Sequence, residues 1–227
     1  SLHLVFLGNP GTGKTTVARL LAKIYRAIGV LSKGQLVEVD RSGLVAGFVG
    51  QTALKTGEVI EKALGGVLFI DEAYALNGKS ENDFGQEAID TILKAMEDHR
   101  DDLVVIVAGY TDLMDRFIHS NPGLESRFNR FLLFEDYTSD EMLDIFKMQC
   151  KKGCYQLSDG VEELVRDYIT EENGDPETFG NARGVRNIFE HILVAQNNRL
   201  AAMETVTKED LMTLTQDDVL HARGKLD

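Results

Sequence analysis

Gly8-Asn9-Pro10-Gly11-Thr12-Gly13-Lys14-Thr15 decides the reading of this chain, because it satisfies every fixed position of G-x-x-x-x-G-K-[ST] in the required surroundings. The apolar run Leu4-Val5-Phe6-Leu7 stands before it as a strand. Behind it Val17, Leu20, Leu21, Ile24 and Ile28 fall at helical spacing, with Gly29 placed as a stop. In such a loop the glycines let the backbone N–H groups of the segment Asn9 to Gly13, Pro10 excepted, turn inward around phosphate oxygens, and the helix N-terminus adds its dipole. Lys14 is expected to reach the outer phosphates, Thr15 to offer its hydroxyl to Mg²⁺, and Thr16 to join the residues that bind the nucleotide. Thr16 also occupies the place of the last glycine in G-x-G-x-x-G, which excludes a dinucleotide fingerprint.

A second run, Val67-Leu68-Phe69-Ile70, ends in Asp71-Glu72. Two acids at the end of a buried strand complement the phosphate loop: Asp71 is expected to hold Mg²⁺ through water, and Glu72 to polarise the attacking water. An adjacent glutamate favours hydrolysis of ATP over phosphate transfer to a second substrate. Three more apolar runs, Leu36 to Val39, Leu103 to Val107 and Phe131 to Phe134, alternate with helical segments such as Ile89, Ile92, Leu93 and Met96. Runs without polar alternation read as strands buried on both faces, so the expectation is α/β with a five-stranded parallel sheet.

The pattern changes after Tyr137. Residues 138–152, 158–172 and 181–203 read as helices, the first opened by the capping residues Thr138-Ser139-Asp140-Glu141. The expected organisation is a nucleotide-binding α/β core at residues 1–136 and a small all-helical domain at 137–227. A chain of 227 residues has room for both.

Charge and composition exclude several classes. The net charge of −13 repels phosphate backbones and anionic lipid, so nucleic acid is an unfavoured partner and a membrane is not expected. No apolar run approaches the ~20 residues of a membrane helix. Cys150 and Cys154 lack further ligands at zinc spacing and read as reduced thiols of a cytoplasmic protein. The five histidines are scattered with no serine or carboxylate at triad spacing, which leaves nucleophilic catalysis without support.

With these motifs in view the chain resembles the AAA+ ATPases, and within them the CbxX/CfqX type that includes stage V sporulation protein K and the red-type Rubisco activases. Gly8 to Thr16, Val39 to Ser42 through Gln51 to Ala53, Leu68 to Ala75 and Ser120 to Phe128 carry the resemblance. It implies an AAA+ core with a helical lid, and a homo-oligomeric ring, expected to be a hexamer. Arg127 in Ser-Arg-Phe would then be the finger completing a neighbour's ATP site, with Arg130 as its alternative. Arg183 in Asn-Ala-Arg-Gly-Val-Arg would be the lid's phosphate sensor, and Thr111 the polar sensor after the fourth strand. Gly47-Phe48-Val49-Gly50 resembles the pore loop with which such rings grip a protein client, through Phe48 and Val49. Two other readings stand beside this motor: an ATP-gated assembly switch with little turnover, and a nucleic-acid-associated AAA+ ATPase.

Overall fold

A computed structural model describes residues 1–78 and 83–224. Its contacts divide the chain into two compact units: Ser1–Gly8 with Gly13–Phe134, and Asn9–Thr12 with Glu135–Asp227. The tip of the glycine-rich loop after β1 therefore groups with the C-terminal part of the chain.

The first unit is built on β1 (Leu4–Leu7), β2 (Leu36–Val39), β3 (Val67–Asp71), β4 (Val104–Gly109) and β5 (Phe131–Leu133), ordered β2-β3-β4-β1-β5. Every pairing is parallel. Its helices are α1 (Lys14–Ala27), α2 (Arg41–Leu44), α3 (Gln51–Ala63), α4 (Gly85–Asp98), α5 (Thr111–His119) and α6 (Pro122–Arg127). Successive strand residues face opposite sides. Leu4, Phe6, Phe69 and Ile106 thus pack with Ala18 and Ala22 of α1, whereas Val5, Leu68, Ile70 and Val105 pack with Ile60 of α3 and Ile89 and Ile92 of α4.

The apolar residues at helical spacing on α1 divide: Val17 and Leu21 pack against the core, Leu20, Ile24 and Ile28 are 56%, 42% and 65% exposed, and Ala18 and Ala22 between them are fully buried. Small side chains at i and i+4 let the helix sit close on the sheet, and Leu20, Ile24 and Ile28 stay outside. One expectation needs correction here: the strands are not all buried on both faces. β3 and β4 are interior and buried, but β5 is an edge strand with all three residues exposed. Being apolar does not place a strand at the centre; its order in the sheet does.

His3 shows how tightly the interior is closed. Its Nδ1 accepts the Val105 amide at 2.9 Å, and burial, aided by the nearby positive charge of Arg127, lowers its pKa from 6.5 to about 4. The unfolded chain takes up a proton near pH 6.5 and the folded chain does not until about pH 4. Stability from this group is therefore complete above pH 6.5 and is lost as pH falls toward 4, by about 3 kcal/mol at ~1.4 kcal/mol per pH unit. His3→Asn keeps an acceptor for Val105 and cannot titrate. Its unfolding midpoint in denaturant should depend less on pH between 6.5 and 4 than that of the wild type, and equal slopes would refute the assignment.

The second unit carries α7 (Ser139–Lys152), α8 (Val161–Glu172), α9 (Pro176–Phe179), α10 (Ala182–Ala201), α11 (Lys208–Met212) and α12 (Gln216–Ala222). Thr138 and Glu141 cap α7 reciprocally, as the sequence leads one to expect, and Thr207/Asp210 and Thr215/Asp218 repeat the device. Met142, Phe146, Val165, Ile169, Ile188 and Ile192 form its core. Arg199 holds the buried carboxylate of Asp218 at 2.8 Å, tying α10 to α12. The helical unit also contains a two-residue parallel ladder, β6 (Gln156–Leu157) with β7 (Thr213–Leu214), too short for any periodicity to reveal. Cys150 is buried and Cys154 exposed, both as free thiols, and burial pushes the Cys150 thiol up to about 12.

Candidate active site

The register of the sheet brings the carboxyl ends of its strands to one edge. Leu7 lies opposite Gly109, and Asp71 opposite Ala108. Gly8, Asp71 and Thr111, which opens α5 just past β4, consequently leave the sheet at the same edge, where parallel α/β proteins place ligands.

Within the first unit, Gly8 has φ +148°, and a Cβ there would collide with the Phe134 carbonyl. Gly13, at φ +93°, caps α1 and, having no side chain, sets no capping group over the helix N-terminus, whose dipole favours an anion. Lys14 donates from Nζ to the Gly8 carbonyl at 2.9 Å, so the lysine is folded back across the loop's entry. Thr15 donates from Oγ1 to Glu38 at 3.3 Å. Glu38 sits in β2, and with Asp40 and Asp71 it lines a cleft of about 320 Å³. A carboxylate interrupting the apolar run Leu36-Val37-Glu38-Val39 was a visible signal, and sequence reasoning passed over it.

Asp71 ends β3 and its Oδ1 accepts the Glu72 amide at 3.0 Å. Glu72 is one of three non-glycine residues with positive φ among those described (φ 48°, ψ 45°). This left-handed turn costs ~1–2 kcal/mol and ends the strand abruptly, opening the 3₁₀ turn Ala73–Leu76. Its side chain is exposed.

The remaining candidates in this unit lie at other places. Arg127, half-exposed, is the last residue of α6, 3.8 Å from Glu97 and 3.3 Å from the Gly123 carbonyl. Arg130 is exposed. Phe48 and Val49, between α2 and α3, are 71% and 87% exposed, and Gly50 after them has φ +79°.

In the second unit Arg183 is the second residue of α10 and is exposed. The loop tip, Asn9 to Thr12, is bonded to the same region. The Pro10 carbonyl accepts from Asn181 Nδ2 at 3.3 Å, the Gly11 carbonyl from the Ala182 amide at 3.0 Å, and the Thr12 carbonyl from the Tyr137 hydroxyl at 3.0 Å. Asn9 donates to Asp136 at 3.0 Å. Gly11 (φ +72°) has no space for a side chain, since a Cβ would strike the Gly180 carbonyl. Sequence reasoning missed Asp136, Tyr137 and Asn181, whose partners lie far away in the chain.

A strand-loop-helix phosphate cradle beside a strand ending in Asp-Glu, in a sheet of this order, defines a P-loop nucleotide hydrolase. The family model "ATPase family associated with various cellular activities (AAA)" matches residues 4–136, and "AAA lid domain" matches residues 138–226. The chain belongs to the AAA family, in the group that contains stage V sporulation protein K and the CbxX-type proteins. It is 46% identical over 221 residues to stage V sporulation protein K of Bacillus subtilis (strain 168), covering 96% of this chain and 69% of that protein. It is 47% identical over 225 residues to the chloroplastic ribulose bisphosphate carboxylase/oxygenase activase of Cyanidioschyzon merolae, covering 98% and 76%. Among solved structures, the FIGL-1 AAA domain in complex with ADP shares the fold with a TM-score of 0.66 at 19% identity, over 97% of this chain and 70% of that one. This chain is therefore an AAA+ ATPase that binds nucleotide and hydrolyses ATP. Among its described residues, no helix is long and apolar enough to cross a membrane.

Proposed function

We propose that this chain is one subunit of a homo-oligomeric ring, a hexamer, acting in the cytoplasm, which uses Mg²⁺-dependent ATP hydrolysis to draw a protein client past Phe48 and Val49. In this reading residues 1–136 form the motor core and 137–227 the lid. The backbone amides of Gly8, Asn9, Gly11, Thr12 and Gly13, with Lys14 and Thr16, bind the phosphates. The uncapped start of α1 and the left-handed glycines fit such a ligand.

The oxygen donors of Thr15 and Asp71 suit Mg²⁺, a hard cation that is commonly held by one or two carboxylates together with substrate phosphates. The described residues contain no cluster of three or more His, Cys, Asp or Glu able to cage a metal alone, which agrees with a cation that arrives with its nucleotide. When bound, Mg²⁺ supplies neutralisation of phosphate charge. Glu72 takes the proton from the attacking water, and Asp71, bonded to the Glu72 amide, fixes the turn that presents it. Arg127 serves a neighbour's site, Arg183 reports the lid's state, and Thr111 provides a polar group at the sheet edge.

The single observation that carries the client-handling reading is the exposure of Phe48 and Val49. Burying two such side chains against a partner is favourable, and leaving them in water is not. Aromatic contact needs no particular sequence, which suits a grip on an unfolded polypeptide. The exposed apolar residues of β5 and of α1 likewise supply surface for neighbouring copies. The test is ATP-dependent unfolding of a tagged, partly unfolded fluorescent reporter protein. Phe48→Ala should slow reporter unfolding by about tenfold or more, as loss of an interface anchor does, and Phe48→Tyr should retain it. Equal unfolding by Phe48→Ala and wild type would overturn the threading reading.

A further inference from the structure

Asn181 is fully buried, polar and held in a backbone conformation that asparagine rarely adopts (φ 50°, ψ −121°). Such a residue persists only where its surroundings fix it, and the strain costs ~1–3 kcal/mol. Its side chain spends every hydrogen-bonding group on the segments around it. Oδ1 accepts the Tyr137 amide at 2.9 Å, and Nδ2 donates to Asp136 Oδ1 at 2.9 Å and to the Pro10 carbonyl at 3.3 Å.

The consequence lies in the peptide planes of the loop tip. Three successive carbonyls, of Pro10, Gly11 and Thr12, accept hydrogen bonds from Asn181, Ala182 and Tyr137. In a trans peptide the carbonyl of one residue and the N–H of the next point in opposite directions, and the chain has no cis peptide bond among its described residues. Holding those carbonyls therefore aims the N–H groups of Gly11, Thr12 and Gly13 away from the donors. Successive backbone amides turned to one side are the element of an anion-binding nest.

We propose that Asn181, with Asp136 and Tyr137 beside it, is a positioning residue for nucleotide binding: it sets the phosphate-loop amides before nucleotide arrives. The proposal rests on the assignment of residues 8–16 to the phosphates. Loosening the tip weakens ATP and ADP alike, because the ordering of the loop is then charged against binding. It acts on affinity and on KM, and leaves the chemical step alone.

The experiment is titration of the full chain with a fluorescent ADP analogue, together with KM and kcat for ATP. Asn181→Gly is the informative variant. Glycine adopts φ +50° without strain, so the thermal midpoint should hold or rise while the ADP-analogue Kd and the KM for ATP each rise about tenfold and kcat stays within about twofold. A purely structural residue would move the midpoint and leave Kd unchanged, and that result overturns the proposal. Asn181→Asp sets a second carboxylate against Asp136 and should bind still more weakly. If the wild-type chain itself binds no nucleotide, the phosphate-site assignment fails and this proposal with it. Indifferent Asn181 variants beside a binding wild type overturn the proposal alone.

Discussion

Arg127→Ala should lower ATP turnover by about 10³-fold at saturating nucleotide, with affinity for ATP nearly unchanged. Arg127 stands at the end of α6, its side chain held among the described residues by a 3.8 Å approach to Glu97 and by bonds to Gly123 and Ser126 at 3.3 and 3.5 Å. A half-exposed ion pair of that length is worth ~1 kcal/mol or less, so the guanidinium is easily withdrawn to serve another chain. Its planar fork, which the 3.8 Å approach to Glu97 leaves largely unused, suits charge developing on a transferring phosphoryl group. Mixing decides whether the arginine acts across subunits. Lys14→Ala chains lack a working site but retain Arg127, and Arg127→Ala chains have the reverse defect. The two inactive proteins combined should regain activity wherever an intact site faces an intact arginine. A mixture as inactive as its components refutes the finger in trans, and loss of turnover in Arg130→Ala with full turnover in Arg127→Ala transfers the role to Arg130. Wild-type turnover per subunit should also climb with protein concentration and then level off.

Glu72→Gln is expected to cut turnover by about 10²–10⁴-fold while nucleotide stays bound, because the amide preserves size and contacts but cannot accept a proton. Its backbone amide still bonds to Asp71 Oδ1, and the left-handed turn is kept, so the substitution tests the carboxylate alone. Rapid-quench measurement of phosphate release, with binding of a fluorescent ATP analogue as the control, separates chemistry from affinity. A fall of only a few-fold would remove Glu72 as the base. Accumulated assemblies with trapped ATP and arrested client unfolding would favour a motor over an assembly switch, since a switch gains from trapped nucleotide.

The local geometry of this protein was legible in its sequence. The glycine-rich loop after β1, the acids ending β3, the cap of α7 and the exposed pair Phe48-Val49 all depend on residues within a few positions of one another. Glycine spacing, capping side chains and apolar runs report such short-range geometry directly. The α/β class followed from the same signals, because buried parallel strands need unbroken apolar runs and helices between them. What the sequence alone left undetermined depends on residues distant in the chain. Strand order put β5 at the sheet's edge, and Ala18 and Ala22 rather than the larger Leu20 and Ile24 became the contact face of α1. Glu38 meets Thr15 only because β2 ends beside the start of α1. Asn181 reaches Pro10 across most of the chain's length, and its strained backbone is stable only in the network it completes. Hydrophobic periodicity carries no information on such a bond: one buried amide among polar neighbours in sequence looks like any other helix-flanking asparagine until folding surrounds it.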